Sequence, residues 1–160
     1  MPRNWFRTFA VSAQARVSET VRHPRLAFDA DVLIYAAVPG HALGRRVHQL
    51  LAEAPRDQHC ASVLLLPELM SKPLREGRTA ELVALRLLLS RLQLVDTSED
   101  IAALAAQLGA AYRLRAADAV HLASAVAGGA EAFVTNNRKD FGAQNILEIP
   151  VLFPEMLPAW

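Results

Sequence analysis

The sequence predicts an α/β domain, a three-layer α/β/α arrangement with a mainly parallel sheet of about five strands. Three observations carry this. After His23-Pro24, short apolar strand-like runs alternate with stretches of helical spacing. The 160 residues suit one domain and can bury a sizeable core. The run Leu26-Ala27-Phe28 ends on Asp29, Asp31 follows two residues on, and apolar residues resume at once in Val32-Leu33-Ile34-Tyr35. Such a run reads as a buried strand, and open α/β sheets bind ligands just beyond the carboxyl ends of their strands.

The strand candidates are Leu26–Asp29, Gln58–Ala61, Leu92–Val95, Ala132–Thr135 and Ile146–Pro150. Between them, Gly44–Ala54 and Thr79–Arg91 have helical spacing. Pro67 and Pro73 flank Glu68-Leu69-Met70-Ser71-Lys72. Proline is tolerated in a first helical turn and costly further in, so a helix is expected to begin near Pro67 and to be interrupted near Pro73. Glu68 then sits in a first turn, in the favourable field of a helix N-terminus. Thr97-Ser98-Glu99-Asp100 offers a capping hydroxyl and first-turn acids, opening a long helix to about Arg113. Ala116–Ala127 is a second helix, ended by Gly128-Gly129. No internal repeat, low-complexity stretch or second domain is visible.

The formal charge of +1 hides an asymmetry. Residues 1–25 carry Arg3, Arg7, Arg16, Arg22 and Arg25 against Glu19 alone, whereas residues 26–160 carry 12 basic and 15 acidic groups. Residues 1–24 read as a weakly ordered basic arm, and 25–160 as the domain. The arm suits an organelle transit peptide, a nucleic-acid-binding arm, or an early start codon, with the last preferred. No apolar run approaches the roughly 18 residues of a membrane span. The single cysteine, Cys60, excludes an internal disulfide and a Cys-rich zinc site and fits a reducing, cytoplasmic setting.

The chemistry-bearing residues fall in four segments. Asp29 ends the first strand; the plainer reading is that it or Asp31 caps the next helix. Glu68 follows Pro67. Asp118 lies among small apolar residues in Arg115-Ala116-Ala117-Asp118-Ala119-Val120-His121, either capping its helix or aimed into a polar pocket, with His121 on roughly the same face. His121 alone reads as a structural histidine. Thr135-Asn136-Asn137-Arg138-Lys139-Asp140-Phe141 is a polar loop after a strand, read either as a solvated turn or as a source of pocket ligands. Together these are hard oxygen donors, which select Mg²⁺ or Mn²⁺ over zinc or copper. Metal pairs held by such donors can activate water and stabilise the leaving oxygen of a phosphodiester.

The order and spacing of the four segments resemble the PIN-domain nucleases, in particular the toxin ribonucleases of VapBC toxin–antitoxin pairs. The matching stretches are Phe28-Asp29-Ala30-Asp31-Val32-Leu33-Ile34-Tyr35, Pro67-Glu68-Leu69, Asp118-Ala119-Val120-His121-Leu122-Ala123, and Thr135 to Phe141. The resemblance covers about residues 25–155. It implies a Mg²⁺-dependent (or Mn²⁺-dependent) endoribonuclease in which Asp29, Glu68, Asp118 and Asp140 are catalytic. Asp29, Asp118 and Glu68 would be metal ligands, with Asn137 a candidate fourth. Arg115, Arg138 and Lys139 would be candidate phosphate contacts. It further implies an RNA substrate, a cognate antitoxin, a homodimer and no membrane. Two departures stand out: Asp31 where the family usually has Asn, and Asn137 at the fourth acidic position. The runner-up is a phosphotransferase of the haloacid-dehalogenase type, with Asp29 as nucleophile and Asp31 as acid/base. Its paired-acid metal motif is missing around Asp118, and Lys72 and Lys139 are the only lysines. A third reading, suggested by Asn137, is a non-catalytic PIN-fold binding module.

Overall fold

A computed structural model describes residues 23–158; the expected basic arm, up to residue 22, lies outside the described residues. Five parallel strands form one sheet in the order β3-β2-β1-β4-β5. They are β1 (Leu26–Phe28), β2 (His59–Ser62), β3 (Leu92–Val95), β4 (Ala132–Val134) and β5 (Val151–Leu152). Helices α1 (Ala30–Ala37) and α2 (Ala42–Glu53) join β1 to β2, and α3 (Leu65–Arg75) and α4 (Thr79–Leu89) join β2 to β3. Helices α5 (Glu99–Tyr112) and α6 (Ala116–Ala127) lead back to β4, and the short α7 (Arg138–Phe141) leads on to β5.

Right-handed crossovers between parallel strands explain the layers. The chain steps from β1 through β2 to β3 in one direction, which puts α1–α4 on one face. It then returns past β2 and β1 to β4, which puts α5 and α6 on the other. The burial pattern agrees. Leu26, Phe28, Ala132 and Val134 pack with Val32, Leu33, Leu51, Leu65 and Leu85 on the first face. Their alternates Ala27 and Phe133 pack with Leu108, Leu122, Phe141 and Ile149 on the second, as the two-residue period of a strand requires. The strand order reverses at β1, so a crevice opens beyond the carboxyl ends of β1 and β4.

Local signals set the helix ends. Ser98 Oγ accepts from the Ile101 N–H at 3.3 Å and caps α5. α6 stops at Ala127, and Gly129 turns the chain away with φ +70°. Gly44 permits the α1–α2 crossing, because a Cβ there would lie 1.9 Å from the Tyr35 carbonyl oxygen.

Two expected elements need correction. The fifth strand is Val151–Leu152, not Ile146–Pro150. Ile146 and Ile149 instead bury their side chains on the α5–α6 face. Pro150 still contributes its carbonyl, which accepts from Phe133 N–H at 2.9 Å, so pairing starts just where the proline's missing donor does no harm. Second, α3 runs through Pro73 without interruption to Arg75. Pro73 lies in the last turn, where it is buried and its missing N–H forfeits only the one bond to the Leu69 carbonyl. Pro67 sits in the first turn, as expected.

Arg25, the first residue of the expected domain, clamps the amino ends of the sheet. Its Nε donates to Gly128 O at 2.8 Å. Its Nη1 donates to Asp57 O at 2.8 Å and Gln58 O at 3.0 Å, and its Nη2 to the Gln93 side chain. Beside it, buried His59 accepts the Leu26 N–H on Nδ1 at 3.1 Å. Burial, then the positive charges of Arg25 and His23, lowers the His59 pKa from 6.5 to about 4. The unfolded chain therefore binds the proton first, and stability falls as pH drops from 6.5 towards 4. The shift corresponds to about 3 kcal/mol at the acid end. We expect His59→Asn, which keeps an acceptor at the Nδ1 position, to remove most of this slope. Urea midpoints between pH 7 and pH 4 test it, and parallel curves for wild type and variant would refute the assignment.

Candidate active site

Asp29 leaves β1 at the point of strand-order reversal and is 5% exposed. It is both cap and crevice residue. Its Oδ1 accepts from the Ala30 N–H at 2.8 Å, capping α1, and its Oδ2 accepts from the Thr135 hydroxyl at 2.7 Å. Thr135, fully buried after β4, in turn accepts the Asn137 N–H on its hydroxyl at 3.0 Å. Thr135 opens the fourth motif, but its place in the sequence alone assigns it no role. A hydroxyl at the end of a buried strand beside an acidic one was the available signal.

Asp31 lies in the first turn of α1, and its two oxygens accept from the Asn136 N–H at 3.2 and 3.1 Å. The Asn136 side chain donates to the Tyr35 hydroxyl at 3.3 Å, and the Tyr35 ring stacks on His41. Burial, then the charge of Asp29 and more weakly that of Asp118, raises the Asp31 pKa from 3.8 to about 6, against the pull of the Asn136 and Val32 N–H groups.

Asp118 is in the first turn of α6, half-buried. Burial and the charges of Asp29 and Asp140 push its pKa up, while the Asn137 amide and His121 pull it down. Asn137 caps α7 and sits between two acids. Its Nδ2 donates to Asp118 Oδ1 at 3.3 Å and to Asp140 Oδ2 at 2.8 Å, while its Oδ1 accepts the Asp140 N–H at 3.2 Å. Glu68, in the first turn of α3, places Oε2 at 2.7 Å from His121 Nε2. Burial disfavours the charged form of His121, but the Glu68 bond and the charges of Asp29, Glu68 and Asp118 outweigh it, so its pKa is raised.

The structure thus gathers Asp29, Asp31, Asp118, Asn137 and Asp140 at one rim, with Glu68 joined through His121. The cations are placed less centrally. Arg138 lies 4.3 Å over the Phe153 ring and pairs with Glu155. Arg115 precedes α6 as an exposed cap residue that makes no capping side-chain bond, and Lys139 is exposed on α7. Among the described residues, no three His, Cys, Asp or Glu side chains already form a metal-binding group. The chemistry of the donors nevertheless fits a hard divalent cation. All are oxygens, and beyond burial the charges of Asp29, Asp118 and Asp140 help to raise the pKa of Asp31 or Asp118, an unfavourable charge density that a cation relieves. No helix among the described residues is long and apolar enough to cross a membrane.

The raised Asp31 pKa gives a sign that is opposite to that of His59. The folded state holds this proton more tightly, so the ionised carboxylate weakens the fold above about pH 6. We expect Asp31→Asn, in chelator at pH 7.5, to be more stable than wild type by about 1–2 kcal/mol, a figure discounted for partial exposure. The gain should vanish near pH 4. Equal urea midpoints at pH 7.5 would show that Asp31 is not strained by its neighbours.

The comparisons with known proteins agree with this fold. No curated protein matches the chain. Among solved structures, a toxin–antitoxin complex from Klebsiella pneumoniae is 28% identical, with a TM-score of 0.63 over 81% of this chain and 97% of that one. VapBC2 from Rickettsia felis, solved bound to a promoter DNA fragment, is 21% identical, with a TM-score of 0.63 over 80% and 97% of the two chains. Mycobacterium tuberculosis VapC20, a toxin that cleaves the sarcin–ricin loop, is 19% identical, with a TM-score of 0.58 over 78% and 98%. The last two likenesses speak for the fold. The PIN domain family model matches residues 26–144, and the chain belongs to that family.

Proposed function

We propose that this chain is a divalent-metal-dependent endoribonuclease and the toxin of a toxin–antitoxin pair. One observation carries the reading: Asp29, Asp31, Asp118 and Asp140 gather beyond the carboxyl ends of β1 and β4, where burial and the charge of Asp29 raise the pKa of both Asp31 and Asp118. Asp29 and Asp118 would hold Mg²⁺, or Mn²⁺ in its place, with Glu68 completing the set and Asp140 at the rim. When bound, the metal would acidify the attacking water and neutralise charge on the leaving oxygen. The chain's own part is orientation. Ala30 N–H and the Thr135 hydroxyl fix the Asp29 carboxylate, and the Asn137 amide holds Asp118 and Asp140 in mutual reach. Asn137 spends its own oxygen on capping α7, which favours Asp140 over Asn137 as the outer ligand. Of the candidate phosphate contacts, Arg115 and Lys139 have the freer placement, since Arg138 is engaged by Glu155 and Phe153.

The toxin reading is supported by the Klebsiella pneumoniae complex, 28% identical over most of both chains. It brings with it a cognate antitoxin, a homodimer, an RNA substrate and a cytoplasmic site of action. The phosphotransferase alternative gains nothing from the structure, since the family is the PIN domain.

Asp29→Asn and Asp118→Asn should each lower Mg²⁺-dependent RNA cleavage by about a thousandfold or more, several kcal/mol of transition-state stabilisation. Asn caps a helix about as well as Asp, so the Asp29→Asn fold should persist. Near-normal cleavage by Asp29→Asn in Mg²⁺ would end the proposal, and an aspartyl-phosphate trapped on Asp29 would revive the phosphotransferase.

Asp140→Ala should weaken Mg²⁺ activation more than Asn137→Ala. Activity titrated against Mg²⁺ for both variants decides it; the opposite ranking would make Asn137 the ligand and Asp140 its brace.

A further inference from the structure

We propose that His121 is a positioning residue that holds the Glu68 carboxylate in the site through Nε2. This rests on the reading that Glu68 helps to bind the metal. α3 and α6 lie on opposite faces of the sheet. Among the described residues, the 2.7 Å contact of His121 Nε2 with Glu68 Oε2 is the only hydrogen bond or ion pair joining them. It passes over the carboxyl ends of the strands, beside Asp29 and Asp118, both of which act on His121 electrostatically.

The two ring nitrogens are used unequally. Nδ1 is buried and has no hydrogen-bond partner, and neither does Ser124 Oγ, one turn along the same helix. Leaving a buried polar atom unpaired works against the folded state. An apolar side chain of similar size would fill the position without that penalty. The ring's polar engagement is with Glu68 alone, so packing does not account for a histidine here.

Glu68 needs such a partner. It extends from an exposed turn of α3, and its side chain stays 31% accessible. A free glutamate side chain loses rotamer entropy when a ligand fixes it. His121 is 3% exposed and locked in α6, and it fixes one Glu68 oxygen in advance. Groups that hydrogen-bond metal ligands in this way typically change metal affinity about 10–100-fold when removed.

The two nitrogens give a discriminating test. The terminal amide of glutamine reaches the place of Nε2, whereas that of asparagine reaches only the place of Nδ1. Mn²⁺ binding to the metal-free full chain, measured by calorimetry, should weaken about tenfold in His121→Asn and return to within about threefold of wild type in His121→Gln. In the double variant Glu68→Gln/His121→Asn, Mn²⁺ should bind no more weakly than in Glu68→Gln alone, since the carboxylate that His121 positions is then already gone. Melting curves in chelator identify any variant that has lost its fold, and the Gln–Asn comparison is then made on the folded pair. Equal Mn²⁺ affinity in His121→Asn and His121→Gln would reduce His121 to a packing residue and overturn the proposal. If Glu68→Gln weakens binding while His121→Asn does not, the metal reading stands and the positioning role falls. If wild type binds no Mn²⁺, both fall together.

Discussion

The mutual repulsion of the carboxylates at the carboxyl end of the sheet is the constraint around which this protein is arranged. Burial, and then the charge of Asp29, raises the pKa of Asp31 and Asp118, and Asp140 adds to the second. Charges of one sign in a half-dry crevice work against folding. The rim answers with oriented dipoles: the Ala30 and Asn136 N–H groups, the Thr135 hydroxyl and the Asn137 amide all point donors at acids. These bonds lessen the repulsion without neutralising it. The remaining negative potential is the property that a divalent cation would recognise.

The opposite end of the sheet solves a different problem. There, Arg25 collects the carbonyls of Asp57, Gln58 and Gly128, and His59 accepts the backbone of Leu26 in neutral form. At this end the donors and acceptors are matched, and burial favours neutrality. A proton entering at His59 weakens the fold, whereas a proton entering at Asp31 relieves it. Stability is thus concentrated at the amino ends of the strands, and strain at the carboxyl ends, within a sheet whose strands are only a few residues long.

Much of this was legible in the sequence because it depends on local pattern. Alternation of short apolar runs with helical spacing sets the α/β class, and the capping hydroxyl of Ser98 and the pair Gly128-Gly129 set helix ends within a residue or so. The fifth strand was misplaced because Ile146 and Ile149 are apolar for the sake of the helical layer, while β5 pairs through backbone that includes a proline carbonyl. Local propensity also overstated the break at Pro73, whose cost depends on its distance from the helix end. The acids Asp29 and Asp118 were legible as carboxylates in apolar settings. Thr135 and the His121–Glu68 bond were not, because each joins segments more than 50 residues apart and carries no spacing signal of its own.

Asn137 shows how a substitution at one position changes the electrostatic problem for the whole rim. An acid there would add another charge between Asp118 and Asp140. The amide instead donates to both and spends its oxygen on the backbone of Asp140. Asp31, by contrast, brings a carboxylate to a place where an amide would serve the Asn136 N–H equally well. Relative to the family pattern, one negative charge has moved from the β4 side of the crevice to the α1 side while the number of acids stays the same. Charge density therefore survives the exchange, but its centre shifts towards Asp29 and Asp31. The side chains that would hold a cation thus keep their combined charge although Asn137 itself cannot ionise.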